Sequence, residues 1–174
     1  KLENTELELK ISYIDNHGNG VSFNNNTEFL IPGSLKDEIV LAKPMKTINK
    51  KVYCKLARVK LPSNLRIKED CNKFRVCGGC NFRQVSDSWL QNWKLKELIR
   101  KTGSLKIQKK ILPMTTSKKN SRRRATFSAN YQNGELNLGF ISKFDEKVID
   151  LKACKILDKD LLQLYNHLKD NLKG

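Results

Sequence analysis

The chain has 174 residues and 39% hydrophobic content, with 34 Lys and Arg against 18 Asp and Glu, a formal net charge of +16. That length allows one ordinary domain or two small ones, and seven Phe, four Tyr and two Trp argue against a chain too polar to fold. So lopsided a charge repels itself and finds relief on a polyanion, of which nucleic acid is the commonest.

The first ten residues, Lys1 to Lys10, lack the apolar core of a signal peptide, and no run of about 18 apolar residues follows. The expectation is a monomeric, cytoplasmic protein with no membrane attachment. Residues 6–60 read as about five short strands. Leu7, Leu9 and Ile11 alternate with Glu8 and Lys10, and His17-Gly18-Asn19-Gly20 and Pro32-Gly33 supply turns. Short strands separated by Gly and Pro predict a small barrel. Residues 61–84 are irregular and carry a cysteine cluster. Residues 86–101 predict a helix capped by Ser86 or Asp87, with apolar positions so widely spread that it should pack on two sides.

A basic segment, Lys106 to Arg124, contains no acidic residue. A hairpin follows, turning at Asn133-Gly134. Its alternation sets Arg124 on the polar face, and the turn places Tyr131 opposite Leu136, Ala129 opposite Leu138 and Phe127 opposite Phe140. Val148 to Leu151 reads as a third strand. The last element is a helix at about 158–172, capped by Asp158, with Leu161, Leu164, Tyr165, Leu168 and Leu172 on one face. The whole reads as mainly β with some α, an α+β chain.

The cysteines carry the chemistry. Cys71, Cys77 and Cys80 form a close triplet, with Gly78-Gly79 between the last two, and Cys154 follows after 73 intervening residues. Five cysteines in a reducing compartment point to metal rather than disulfides. Thiolates suit zinc or iron–sulfur clusters. Structural zinc usually draws two close pairs, whereas three local cysteines and one remote one can hold a four-thiolate cubane. Spacing leaves both metals open, and leaves Cys154 open between ligand and buried small side chain. Gly78 and Gly79 allow a tight backbone and leave amides free to donate to sulfur. Cys54 reads as an ordinary strand residue.

Pro62-Ser63-x-x-Arg66-Ile67 and Cys71-x5-Cys77-Gly78-Gly79-Cys80-x3-Gln84 are followed by Trp93-Lys94, Arg123-Arg124-Ala125 and Leu138-Gly139-Phe140, and then by Val148-Ile149-Asp150-Leu151-x2-Cys154-x-Ile156-Leu157. This ordered set resembles the RNA uracil-5 methyltransferase family over about residues 6–160, most closely the branch that makes 5-methyluridine in 23S ribosomal RNA. The resemblance implies a TRAM domain, an oligonucleotide-binding-type barrel, over residues 1–62. It implies an RNA-binding central domain with an antiparallel sheet beginning at 63–174. Cys71, Cys77, Cys80 and Cys154 would then be the ligands of a 4Fe–4S cluster. The family's glutamine is usually followed by His, where this chain has Val85.

The family's methyl transfer uses S-adenosylmethionine in a Rossmann-type domain. A cysteine thiolate attacks C6 of uracil, C5 takes the methyl group, and a carboxylate removes the C5 proton. This sequence has no Gly-rich loop after a strand, and none of its five cysteines matches the nucleophile's position. The chain is therefore expected to be the N-terminal, targeting part of such an enzyme, with the S-adenosylmethionine domain absent and no activity of its own.

Its partner is expected to be RNA, with ribosomal RNA favoured over transfer RNA. The residues expected to touch it are Arg122, Arg123, Arg124, Lys109, Lys110, Lys118, Lys119, Lys50 and Lys51, because Arg forks match phosphate and stack on bases. Two other readings stay open: a free-standing RNA-binding module with a structural metal, and a zinc-binding ribosome-associated factor. A reading frame that continues past Gly174 into a Gly-rich loop separates enzyme from module.

Overall fold

The structure is a computed structural model and describes residues 5–103, 111–132 and 134–172. The chain divides into two compact units, Lys1–Lys68 with Phe82–Thr116, and Glu69–Asn81 with Ser117–Gly174.

The period-two alternation of the N-terminal third folds into β1 (Leu7–Lys10), β2 (Tyr13–Ile14), β3 (Asn19–Asn24), β4 (Thr27–Pro32), β5 (Ile39–Ile48) and β6 (Lys51–Leu61). They form one curled sheet in the order β1-β5-β6-β4-β3-β2, antiparallel except for the parallel β4–β6 pair. β1 and β2 are successive pieces of one bent strand. Ile11 N–H donates to Glu38 O at 2.9 Å and Ser12 N–H to Val21 O at 2.8 Å, so the segment leaves β5 and joins β3 directly. Counted as one, β1 and β2 bring the six segments to the expected five strands, and the sheet curls into a small barrel. Alternate side chains fill the interior: Leu9, Ile11, Phe29, Ile31, Val40, Ala42, Val52, Cys54 and Leu56. Asn25 and Asn26, and Asn49 and Lys50, all have positive φ, the conformation that tight hairpin turns require.

The segment after the barrel is clamped to it by a buried ion pair. The Glu38 side chain is fully buried and that of Arg66 is 11% exposed. Glu38 Oε1 accepts from Arg66 Nε at 2.6 Å, and Oε2 accepts from Arg66 Nη2 at 2.9 Å and from the Leu35 N–H at 2.8 Å. Arg66 Nη2 also donates to Gly33 O at 2.7 Å. Every charge is matched, as burial of a charge demands.

Helix α1 (Asp87–Thr102) begins at Ser86, whose hydroxyl accepts from Trp89 N–H at 3.2 Å. It does not pack on two sides: none of its residues is buried. Trp89 and Trp93 stack near-parallel with centroids 6.4 Å apart, and Phe82 lies 4.9 Å from Trp93, while Leu98 and Ile99 face solvent. The wide apolar spread therefore reflects one aromatic face and an exposed remainder.

In the second unit β7 (Ser128–Gln132), β8 (Glu135–Ile141) and β9 (Val148–Ile149) make an antiparallel sheet covered by α2 (Lys159–Asn171). The register pairs Tyr131 with Leu136 and Ala129 with Leu138. Phe127 precedes the strand, but its ring still meets that of Phe140 at 6.0 Å. Leu161, Leu162, Tyr165 and Leu168 pack inward from α2, while Leu164 and Leu172 face solvent. Leu162 takes the place expected of Leu164 because the buried stripe is centred on Tyr165. The Tyr165 hydroxyl accepts from Leu151 N–H at 3.0 Å, and its one proton is shared between Leu138 O at 2.8 Å and Asp150 Oδ1 at 2.9 Å. Among the described residues no helix is long and apolar enough to cross a membrane.

Candidate metal centre and nucleic-acid interface

The cysteine triplet is held by short backbone bonds and by the edge of the second sheet. Cys71 O accepts from Phe74 N–H at 3.2 Å, and Lys73 O accepts from Cys77 N–H at 2.7 Å, so residues 71–77 coil tightly. Cys77 then forms an antiparallel bridge with Ser142, flanked by Gly78 N–H to Ile141 O at 3.0 Å and Lys143 N–H to Val76 O at 2.9 Å. The same β8 end pairs with β9, Phe140 with Ile149 and Ile141 with Val148. Just past β9 the chain turns, Cys154 N–H donating to Leu151 O at 2.8 Å, and Cys154 packs with Cys77 in the core of this unit. Strand pairing is thus what carries the remote cysteine to the triplet.

The glycines are sterically required. A Cβ on Gly78 would stand 2.6 Å from Ile141 O, and one on Gly79 2.7 Å from the Phe140 ring. The Gly79 amide donates to Cys77 Sγ at 3.4 Å, the amide-to-sulfur contact expected of this loop.

Electrostatics separates the cysteines into two kinds. Burial pushes the Cys54 thiol up to about 12, with no neighbouring charge involved. It belongs to the barrel core and is an ordinary strand residue. Burial also raises Cys77, but there Cys154 and Cys71 act on it as well, and the Gly79 amide and Lys143 oppose them. Lys143 in turn interacts with the thiols of Cys80, Cys77 and Cys71. Cys77 and Cys154 thus pack in one core, and Lys143, to which sequence reasoning assigned no part, stands on the loop between Cys71 and Cys77. A lone basic residue in a turn carries no signal in a single sequence.

Among the described residues no group of three or more His, Cys, Asp or Glu side chains is arranged to hold a metal ion. A cubane asks for something different: each thiolate binds its own iron, so the ligands stand around a volume rather than a point. Soft sulfur donors, an amide aimed at sulfur and a half-buried cation beside the triplet fit such an anionic group.

The basic residues divide between the units. Lys118, Lys119, Arg122, Arg123 and Arg124 are all exposed in the second unit. Arg122 is fixed by its backbone, its N–H donating to Ile156 O and its O accepting from Asp158 N–H, both at 2.9 Å. Ser121 Oγ donates to Lys118 O at 2.6 Å and closes the preceding turn. Arg124 lies ahead of β7 rather than in it, and still reaches solvent. Lys50 sits in the exposed β5–β6 turn of the first unit, while Lys51 pairs with Glu28 at 2.9 Å. Lys109 and Lys110 lie outside the described residues. Tyr13 and Phe23 are exposed on the barrel, ring centroids 6.3 Å apart, so they are surface rather than core.

No family model matches this chain. Its fold is that of an RNA-modifying enzyme of known structure. The structure of the tRNA (uracil-54, C5)-methyltransferase of Pyrococcus abyssi, in complex with S-adenosyl-L-homocysteine, aligns with a TM-score of 0.64 and 20% identity over 94% of this chain and 36% of that one. By sequence its homologues are RNA methyltransferases. An uncharacterized RNA methyltransferase of Listeria monocytogenes is 26% identical over 88% of this chain and 35% of its own length. The 23S rRNA (uracil(1939)-C(5))-methyltransferase RlmD of Shewanella sediminis is 24% identical over 97% of this chain and 40% of its own. The chain thus spans 35 to 40% of the length of these relatives.

Proposed function

We propose that this chain is the RNA-binding, iron–sulfur-carrying part of an S-adenosylmethionine-dependent RNA uracil-C5 methyltransferase that makes 5-methyluridine, with 23S ribosomal RNA as substrate. The observation that supports this reading is the packing of the remote Cys154 into the same core as Cys77, which is bridged to Ser142 at the end of β8. It occurs in a chain whose relatives are named RNA methyltransferases, two-fifths or less of whose length it spans.

In this reading residues 1–62 are a TRAM barrel and 63–174 begin the central domain. Cys71, Cys77, Cys80 and Cys154 would hold a 4Fe–4S cluster, which supplies a rigid inorganic tie between distant segments and a one-electron centre. The chain's own residues do the remaining work. Exposed Arg122, Arg123 and Arg124, with Lys118 and Lys119, form a cationic edge for phosphate, held in place by the strand-like bridge between Arg122 and Leu157. Lys50, with Lys51 beside it, would add to this from the barrel, and Lys109 and Lys110 from the basic segment. The catalytic thiolate, its carboxylate base and the S-adenosylmethionine site belong to sequence beyond this chain.

The test pairs binding with catalysis. The chain is incubated with 23S ribosomal RNA fragments and methyl-labelled S-adenosylmethionine. Salt-sensitive binding with no methyl transfer is expected. Methyl transfer by this chain alone overturns the division of labour, and binding indifferent to salt overturns the RNA-binding role.

A further inference from the structure

Lys143 is a half-buried ammonium with no carboxylate within ion-pair distance among the described residues. Its Nζ donates to Phe74 O at 2.9 Å and lies over the Phe74 ring, 4.4 Å from the centroid. Its N–H donates to Val76 O at 2.9 Å. Side chain and backbone therefore both grip the loop between Cys71 and Cys77. A carbonyl and a ring face solvate a cation only in part. Glu69, whose charge also acts on this amine, is paired with Arg75 at 3.1 Å. The loop that the amine grips runs from Cys71 to Cys77, the segment that carries two of the thiols of the proposed cluster. The amine is thus held on the cysteine loop, at the cost of partial desolvation.

We infer that Lys143 is a positioning residue for the cluster: it fixes the Cys71–Cys77 loop and compensates the negative charge of the thiolate-bound group. The inference rests on the cluster reading above, and adds a residue to it that is no ligand. A cubane held by four thiolates carries net negative charge, and one more electron makes it more negative. A fixed cation nearby favours the reduced form and raises the reduction potential. Loop-holding alone would change stability and leave the potential where it was.

The experiment compares the whole chain with Lys143→Met and Lys143→Arg after anaerobic reconstitution with iron and sulfide. Two quantities are read, iron per chain and midpoint potential. Lys143→Met should make reduction about tenfold less favourable, about 59 mV for one electron, and Lys143→Arg should return the potential toward that of the parent. Should Lys143→Met shed the cluster, full iron in Lys143→Arg supports the charge role and equal loss in both overturns it. An unchanged potential in a loaded Lys143→Met also overturns it. A parent chain that takes up no iron and sulfide overturns the cluster reading itself, and the role of Lys143 with it.

Discussion

Single residues in this protein carry tasks out of proportion to their number. The Glu38–Arg66 pair binds the segment leading to the cysteines onto the barrel. Removing one partner strands the other charge out of water. Arg66→Met should therefore cost about 3–5 kcal/mol, read by denaturant unfolding, whereas the double replacement Glu38→Leu with Arg66→Met should cost clearly less. An equal loss in both would show that the pair is not the clamp. Asp150 is a second such residue. Burial would raise its carboxyl, but donation from Lys169, the Lys152 amide and the Tyr165 hydroxyl outweighs this and holds it below the ordinary carboxylate value. The stability this contributes is present above the unfolded value, about 3.9, and is lost as pH falls through the folded one. The stability gap between the parent and Asp150→Asn should thus narrow on acidification below about pH 4. A gap that stays constant to lower pH contradicts the assignment.

At the scale of elements, the β8–β9 pairing is the device that delivers Cys154. It depends on Gly139, because a Cβ there would overlap the Ile149 carbonyl. Gly139→Ala should destabilise the second unit by about 1–3 kcal/mol, the usual cost of overpacking, and lower cysteine-dependent iron uptake with it. Full uptake with an unshifted melting curve would contradict that link. The hairpin itself was legible in advance, because alternation and Asn133-Gly134 fix which residues pair: two of the three expected pairs appear in the register, and the third, Phe127 with Phe140, only as a ring contact ahead of the strand. The barrel was legible for the same reason. What the sequence could not reveal is that Leu7–Lys10 and Tyr13–Ile14 are one bent strand that closes the sheet, since closure is set by partners far along the chain. Helix α1 misled for a physical reason as well. Two Trp and several aliphatic residues resemble a two-sided core, yet Trp89, Trp93 and Phe82 satisfy one another on one side.

For the whole molecule, charge and sulfur divide the proposed function. The net charge of +16 is not spread evenly, and the exposed Lys118-to-Arg124 stretch concentrates it on one backbone-fixed edge. Replacing one of Arg122, Arg123 or Arg124 with Ala should lower the slope of log affinity against log salt by roughly one for an RNA fragment. An unaltered slope for all three would remove this edge from the interface. The four cysteines stand as an expected ligand set only through the ordered motifs around them, because spacing by itself leaves zinc and iron–sulfur equally open. Lys143 was not legible at all, because its meaning comes from a carbonyl, a ring and three thiols that only the folded chain assembles.

The most direct test of the proposed metal centre is the metal itself. Iron and acid-labile sulfide should be counted per chain after anaerobic reconstitution, in the parent and in Cys154→Ser. About four of each per parent chain, with a brown colour and a large loss in the variant, is the expected result. A colourless chain carrying one zinc, or a Cys154→Ser chain with undiminished iron and sulfide, would contradict ligation by all four thiols.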